Sequence, residues 1–322
     1  MKINNELYKK IADEINIASN IAIFSHINPD GDTLGCSLGL YAYLKKLGKN
    51  VAVFVDDTPR GKLGFLPNYD KINNEKIEKA DLSIAVDTSD EDRIGVGLIK
   101  KFYKAKNTIC IDHHKTNTHF AKTTLYEPAS ATCEIIYKLL CFMNEDLIDD
   151  DIAMCLTAGI ITDSGGFHFN STTPQTHEIV GKMYKYNIDI SDLIYKLIRE
   201  EKENVFNLKN RVLSKAIFDS DSRIAIITFT KEDFKETNTS SENTEGIITN
   251  LINIDTVMFA VSITEDREKS YRVSFRTKAP YDSADCAIAF GGGGHKFAAG
   301  CRIDGFYYDV IDKVLKVCRD RL

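Results

Sequence analysis

The chain has 322 residues and a mass of 36.2 kDa, with 43% hydrophobic, 27% charged and 10% aromatic residues, 19 glycines and 6 prolines. That length exceeds one ordinary core and suits two domains, and the composition excludes a disordered or fibrous chain. The net charge of -6 excludes a long footprint on duplex nucleic acid, which needs a basic stripe, but leaves room for a small anionic ligand.

Taken in chain order, the first twenty residues read as a polar, amphipathic helix, and no run of eighteen apolar residues follows anywhere. Neither a signal peptide nor a membrane span is expected, which points to a cytoplasmic protein. Short runs rich in Val and Ile recur at 21–24, 51–55, 82–86 and 108–111, with helical stretches between them, which predicts an α/β domain with a mostly parallel sheet. The helix at 33–47 carries Leu34, Leu38, Tyr41, Leu44 and Leu47 on one stripe and stops at Gly48. Further helices fit 131–142, 151–162 and 174–186, the last capped by Thr173 with Pro174 in its first turn. One long charged helix is expected from Ser191 to Arg211. Strands at 223–229, 257–263 and 271–276 and helices near 242–252, 283–289 and 308–321 then complete a smaller mixed α/β domain. The expected organisation is therefore 1–190, a helical linker 191–212, and 213–322. Eight cysteines, Cys36, Cys110, Cys133, Cys141, Cys155, Cys286, Cys301 and Cys318, lack CxxC spacing and read as reduced, mostly buried thiols.

The segment SHINPDGD (25–32) places His26, Asp30 and Asp32 directly after the first strand, with Gly31 permitting the tight turn. Taken alone, PDGD could equally be a surface turn whose aspartates cap the next helix. The other strands end alike: 82–86 runs into Asp87, and 108–111 into Asp112, His113 and His114. Ligands bind at the carboxyl ends of strands in open α/β sheets. Asp163 closes an apolar helix, where the negative end of the dipole makes an aspartate costly without a cation. Oxygen and imidazole donors without a thiolate suit manganese, with magnesium, cobalt or zinc as alternatives. Six ligands with Asp87 free to bridge suit two ions, the arrangement that clamps the oxygens of a phosphoryl centre during in-line attack by water.

In the second half, FGGGGHKFAAGC (290–301) offers a glycine loop whose N–H groups could approach a phosphate, beside His295; flexible turns use glycine too. The strand YRVSFR puts Tyr271, Val273 and Phe275 on one face and Arg272, Ser274 and Arg276 on the other, where the arginines either meet solvent or hold a nucleotide phosphate. His119 and His168 lie near the motifs without fitting a ligand slot, and His177 reads as a surface or packing residue.

These motifs resemble the DHH phosphoesterase superfamily: HxxxDxD at His26, Asp30 and Asp32, then Asp87, the Asp112-His113-His114 triplet, Asp163, and the GGGGH segment of the DHH-associated C-terminal domain. The likeness spans essentially the whole chain. Its length and two-domain layout look like the bacterial oligoribonuclease and 3',5'-bisphosphate nucleotidase group. The resemblance implies that His26, Asp30 and Asp87 hold one manganese ion, and Asp32, Asp87, His113 and Asp163 the other. His114 would contact the scissile phosphate while Asp112 orients the imidazoles. It also implies that Arg272, Gly293, Gly294 and His295 bind substrate, with the active-site cleft between the domains; Ser274, on the same strand face as Arg272, would then be a secondary contact. Arg93 fits the pattern too, although an ion pair with a neighbouring acid fits equally. The expected substrates are short oligoribonucleotides, cleaved to 5'-mononucleotides, and adenosine 3',5'-bisphosphate, cleaved to AMP. Cyclic di-AMP or its linear form pApA is the alternative, and a homodimer is compatible. A pyrophosphatase is disfavoured by GGGGH in place of a lysine- and arginine-rich domain, a RecJ-type exonuclease by length, and a silent nucleotide sensor by the complete ligand set.

Overall fold

The computed structural model describes residues 5–56, 61–244 and 246–322, and the chain divides between Glu200 and Glu201 into two compact units. The N-terminal unit runs α1 (Asn5–Ile17), β1 (Asn20–Phe24), α2 (Gly31–Lys46), β2 (Asn50–Phe54), β3 (Leu82–Val86), α3 (Ile99–Phe102), β4 (Asn107–Asp112), β5 (Thr123–Tyr126), α4 (Thr132–Asn144), α5 (Asp150–Asp163), α6 (Pro174–Met183) and α7 (Ile190–Ile194). The strands form one sheet in the order β2-β1-β3-β4-β5, and all pair in parallel. Both faces are covered, which is why the strands read as continuous apolar runs: Ile21 and Ile23 enter the main core, while Ala22 and Phe24 enter a smaller one with Phe54, Ala85 and Phe102. β5 escaped the sequence reading because TTLY alternates buried and half-exposed residues.

α2 is buried on nearly all sides, and its glycines set how close α5 comes. A Cβ on Gly35 would stand 2.5 Å from the Cys155 carbonyl oxygen, and one on Gly159 only 2.3 Å from Cys133 Sγ. A side chain at either glycine would clash. The close approach carries the end of α5, with Asp163, towards the start of α2.

The C-terminal unit contains α8 (Glu203–Leu213), β6 (Ile217–Phe218), β7 (Ile224–Phe229), α9 (Lys231–Thr237), α10 (Thr249–Ile252), β8 (Phe259–Arg267), β9 (Ser270–Thr277), α11 (Ser283–Ile288), β10 (Gly293–His295), β11 (Ala298–Asp304) and α12 (Tyr307–Arg319). Its sheet runs β10-β11-β9-β8-β7-β6, with β7 and β8 parallel and the other pairs antiparallel. One face packs Phe259, Val261, Val273 and Phe275 with residues of α11 and α12. The other is covered apolarly by Leu208, Val212, Ile247 and Leu251 over β7 and β8.

Three local expectations are corrected. The helix expected from 191 to 211 is broken: α7 passes into a π-helical turn at Tyr195–Arg199, residues 200–202 are non-helical, and α8 begins at Glu203. The apolar residues on either side belong to different cores, Ile190, Leu193 and Leu197 to the first and Leu208 and Val212 to the second. The helix expected at 242–252 is a 3-10 turn at Ser241–Thr244 and the four-residue α10. The glycine loop at 290–295 is in part strand: Gly293–His295 pairs with β11. Glycine is required there because a Cβ on Gly292 would fall 2.3 Å from the Gly300 carbonyl oxygen.

Candidate active site

The order β2-β1-β3 means that the chain leaves β1 to one side and returns to the other, so the crevice at the sheet's carboxyl edge opens between β1 and β3. His26 follows β1, Asp87 follows β3, and Asp112, His113 and His114 close β4. Asp87 leaves β3 in the left-handed region (φ +55°), an uncommon conformation for a residue with a Cβ and one that concentrates at functional sites. Its N–H still bonds the Ile111 carbonyl at 2.9 Å.

The six expected ligands converge. His26 Nε2 lies 3.6 Å from Asp87 Oδ2 and 3.9 Å from Asp30 Oδ2, and His113 Nε2 lies 3.6 Å from Asp87 Oδ1 and 3.3 Å from Asp163 Oδ2. Two sets, His26 with Asp30 and Asp87, and Asp32 with His113 and Asp163, each place their donor atoms within 4.8 Å of one another. Asp87 touches both. The imidazoles are oriented from behind: His26 Nδ1 bonds the Ile27 carbonyl at 2.6 Å and His113 Nδ1 the Ala129 carbonyl at 3.1 Å, which leaves each Nε2 facing the carboxylates.

Charge makes the same point. Asp32 is fully buried, and burial, with the charges of Asp87 and Asp163 added, pushes its carboxyl well above the usual range. Asp163 is pushed up to about 6, by burial first and then by the opposed effects of His113, which lowers it, and of Asp87 and Asp30, which raise it. Burial also works against ionisation of Asp87, but the close approach of His26 and the charges of the neighbouring imidazoles hold it below the ordinary carboxylate range. A cluster of buried carboxylates in which two are forced towards the neutral form fits divalent cations, which would restore both to the charged state.

Several supports left no sequence signal strong enough to single them out. Thr33 and Thr132 each donate a hydroxyl to Asp87, at 2.7 and 2.9 Å, and both N–H groups opening α4, from Thr132 and Cys133, donate to Asp32 at 2.6 and 3.0 Å. Asp32, in the first turn of α2, thus also faces the N-terminus of α4, a position its own sequence neighbourhood could not reveal. Asp112 accepts from Asn117 Nδ2 at 2.6 Å and binds His114 Nδ1 at 2.7 Å. That bond, above all, raises the His114 pKa against the opposing effect of burial. Arg93 is exposed and forms no ion pair among the described residues, while its carbonyl accepts the Ile27 N–H at 2.7 Å. His119 donates no ring nitrogen to the cluster, His168 Nδ1 contacts the Gly165 and Gly166 carbonyls, and exposed His177 packs on Phe167.

In the C-terminal unit, register gathers the expected substrate residues. Arg302, Arg272 and Thr264 form one cross-strand row, and Gly293, Gly300, Ser274 and Ser262 the next. Gly294 falls on the opposite face, opposite buried Ala299. Arg272, Arg302, Lys231 and Ser241 line a groove of about 370 Å³. Arg302 pairs with Asp266, whereas Arg272 makes a long 3.4 Å bond to the Ser241 carbonyl and no ion pair among the described residues.

The N-terminal strands and their acidic edge match the DHH family N-terminal domain over residues 20–160, and the second unit matches the DHHA1 domain over residues 222–322. The chain belongs to the DHH phosphoesterase superfamily, in its DHH–DHHA1 form. It is similar to the "Bifunctional oligoribonuclease and PAP phosphatase NrnA" of Thermus thermophilus, at 29% identity over 100% of this chain and 94% of that protein. An exopolyphosphatase-related protein from Bacteroides fragilis superposes with a TM-score of 0.88 at 27% identity, covering 99% of this chain and 98% of that one. The cyclic-di-AMP phosphodiesterase GdpP of Bacillus subtilis is more distant, 21% identical over 94% of this chain and only 47% of its own length. No described helix is long and apolar enough to cross a membrane.

Proposed function

We propose that the chain is a manganese-dependent phosphoesterase that cleaves short oligoribonucleotides to 5'-mononucleotides and adenosine 3',5'-bisphosphate to AMP. The observation that carries this reading is the pair of donor sets at the switch point of a parallel sheet, with Asp87 in one set and 3.6 Å from His113 of the other. His26, Asp30 and Asp87 would hold one ion, and Asp32, Asp87, His113 and Asp163 the other. Bound there, two divalent ions supply Lewis acidity, lowering the pKa of water and neutralising charge on the phosphoryl oxygens.

The remaining work belongs to the protein. His114 is held through Nδ1 by Asp112, whose carboxylate makes the ring easier to protonate, and would donate from Nε2 to a phosphoryl or leaving oxygen. Asn117 fixes Asp112 and through it the ring orientation. Arg93, exposed at the loop beside Ile27, is suited to a substrate phosphate. In the C-terminal unit, Arg272, with Ser274, Gly293 and His295 on the same sheet face, would take a terminal phosphate or sugar, and Arg302 and Lys231 add cations to that groove. Gly294, whose face is the other one, contributes by letting β10 lie close against β11.

Cyclic di-AMP is the second reading, favoured by the likeness to GdpP over 94% of this chain. The test is to compare kcat/KM with manganese on an RNA dinucleotide, adenosine 3',5'-bisphosphate, cyclic di-AMP and pyrophosphate. The first two should lead. A higher value for cyclic di-AMP transfers the proposal to the second reading, and turnover of pyrophosphate alone overturns both.

A further inference from the structure

Behind Asp32 stand two thiols that the phosphoesterase chemistry does not use. Cys36 on α2 and Cys133 at the start of α4 are fully buried, with their sulfurs 3.3 Å apart. Cys36 Sγ lies 3.7 Å from Asp32 Oδ1, and Cys133 Sγ lies 3.6 Å from the Asp32 carbonyl oxygen. Asp32, Cys36 and Cys133 form a donor set of their own within 4.8 Å. For a tetrahedral ion with metal–sulfur bonds of about 2.3 Å and a metal–oxygen bond of about 2.0 Å, the sulfurs stand about 3.8 Å apart and sulfur and oxygen about 3.5 Å apart. The observed sulfur–sulfur separation is about half an ångström short of its edge, and the Cys36 Sγ–Asp32 Oδ1 separation is about 0.2 Å longer than its own.

The same carboxylate therefore faces two donor sets of different character. Towards His113 and Asp163 it meets nitrogen and oxygen, which suit manganese or magnesium; towards Cys36 and Cys133 it meets sulfur, which selects zinc- and cadmium-like ions. We propose that Asp32, Cys36 and Cys133 form a second, inhibitory site for a thiophilic divalent cation, which withdraws Asp32 from the phosphoesterase centre. Two metal–sulfur bonds form as two thiol protons leave to solvent, and no oxidant is needed. Neither cysteine is among the motif residues that the phosphoesterase reading uses.

The probe is cadmium, titrated into the purified full-length chain without other metal and read by the ultraviolet thiolate-to-cadmium charge-transfer band. The band should appear in the unaltered chain and in Cys286→Ser/Cys318→Ser, and be lost in Cys36→Ser/Cys133→Ser. Cadmium should inhibit the manganese-loaded unaltered enzyme at least tenfold more strongly than the Cys36→Ser/Cys133→Ser variant. A band unchanged in that variant, or equal inhibition of both, overturns the proposal. Should the variant not fold, crystals of the unaltered chain soaked in cadmium decide: an anomalous peak between Cys36 and Cys133 supports the site, and peaks confined to the histidine–carboxylate sets overturn it. The inhibitory half rests on the two-ion reading above. Because the band needs no turnover, a chain with the band but no phosphoesterase activity sinks that reading alone, and an active chain without the band sinks this one.

Discussion

In the N-terminal unit the central carboxylates, Asp32 and Asp87, are buried and the cluster around them comes from stretches scattered between residues 26 and 163, while in the C-terminal unit Arg272 and Arg302 sit on neighbouring strands and remain largely exposed. Asp32 and Asp87 keep at most 2% of their surface, whereas the Arg302 side chain keeps 53%. The buried centre is held by fixed partners and strained backbone, so its members act as a unit. The groove is a face of sheet with long side chains that can adapt to a phosphate. The first suits chemistry that needs sub-ångström placement, and the second, in the proposed reading, suits recognition of a variable substrate end.

That contrast can be broken in order of size. Asp87→Ala removes the carboxylate shared by both sets and should lower kcat on every substrate by roughly a thousandfold or more, about 4 kcal/mol at about 1.4 kcal/mol per decade. Near-normal turnover would end the two-ion reading. Arg272→Ala should raise KM by roughly tenfold to a hundredfold and leave kcat within about a factor of two, as expected for a lost charge-assisted bond of about 1.5 to 3 kcal/mol; an equal fall in kcat would place Arg272 in the chemistry. Asn117→Ala should cost about tenfold in kcat and move the acid limb of the pH profile, since it loosens the Asp112–His114 pair. An unshifted profile would reduce Asn117 to a packing role.

The pH dependence is subtler. Asp163, raised to about 6, binds a proton in the folded metal-free chain that the unfolded chain has already lost above its ordinary value of 3.8. Metal-free stability should therefore fall as pH rises from about 4 to about 6, and a divalent ion should restore it above that window, where the carboxylate is free. Melting temperatures with and without manganese at pH 5 and pH 7.5 check this; an equal metal-induced shift at both would remove Asp163 from the ligands. The smallest effect is expected for Arg302→Ala, a change in KM of a few-fold, because Asp266 already occupies its charge.

The acidic edge was legible because strands buried on both faces leave continuous apolar runs, and whatever follows each run must stand at the same edge of a parallel sheet. His26, Asp87 and His113 could be placed by that rule alone. What stayed hidden came from elements that meet only in three dimensions: Thr132 and Cys133 opening α4 against Asp32, Thr33 on Asp87, and Asn117 behind Asp112. A threonine in a first helical turn looks the same whether it meets solvent or a carboxylate a hundred residues away. The long helix expected across 191–211 failed for a related reason, since local charge and periodicity continue through Glu200 while the cores that claim the two apolar faces differ.

By itself, then, the sequence determined the α/β class and the two-unit organisation and singled out the proposed donor residues, because each follows from short-range pattern and residue chemistry. Tertiary structure decided which donors share an ion-sized space, which thiols stand beside Asp32, and which face of β9 meets Arg302. Those depend on strand order, register and the close approach of α2 and α5 at Gly35 and Gly159, which are settled by packing between segments distant in the chain.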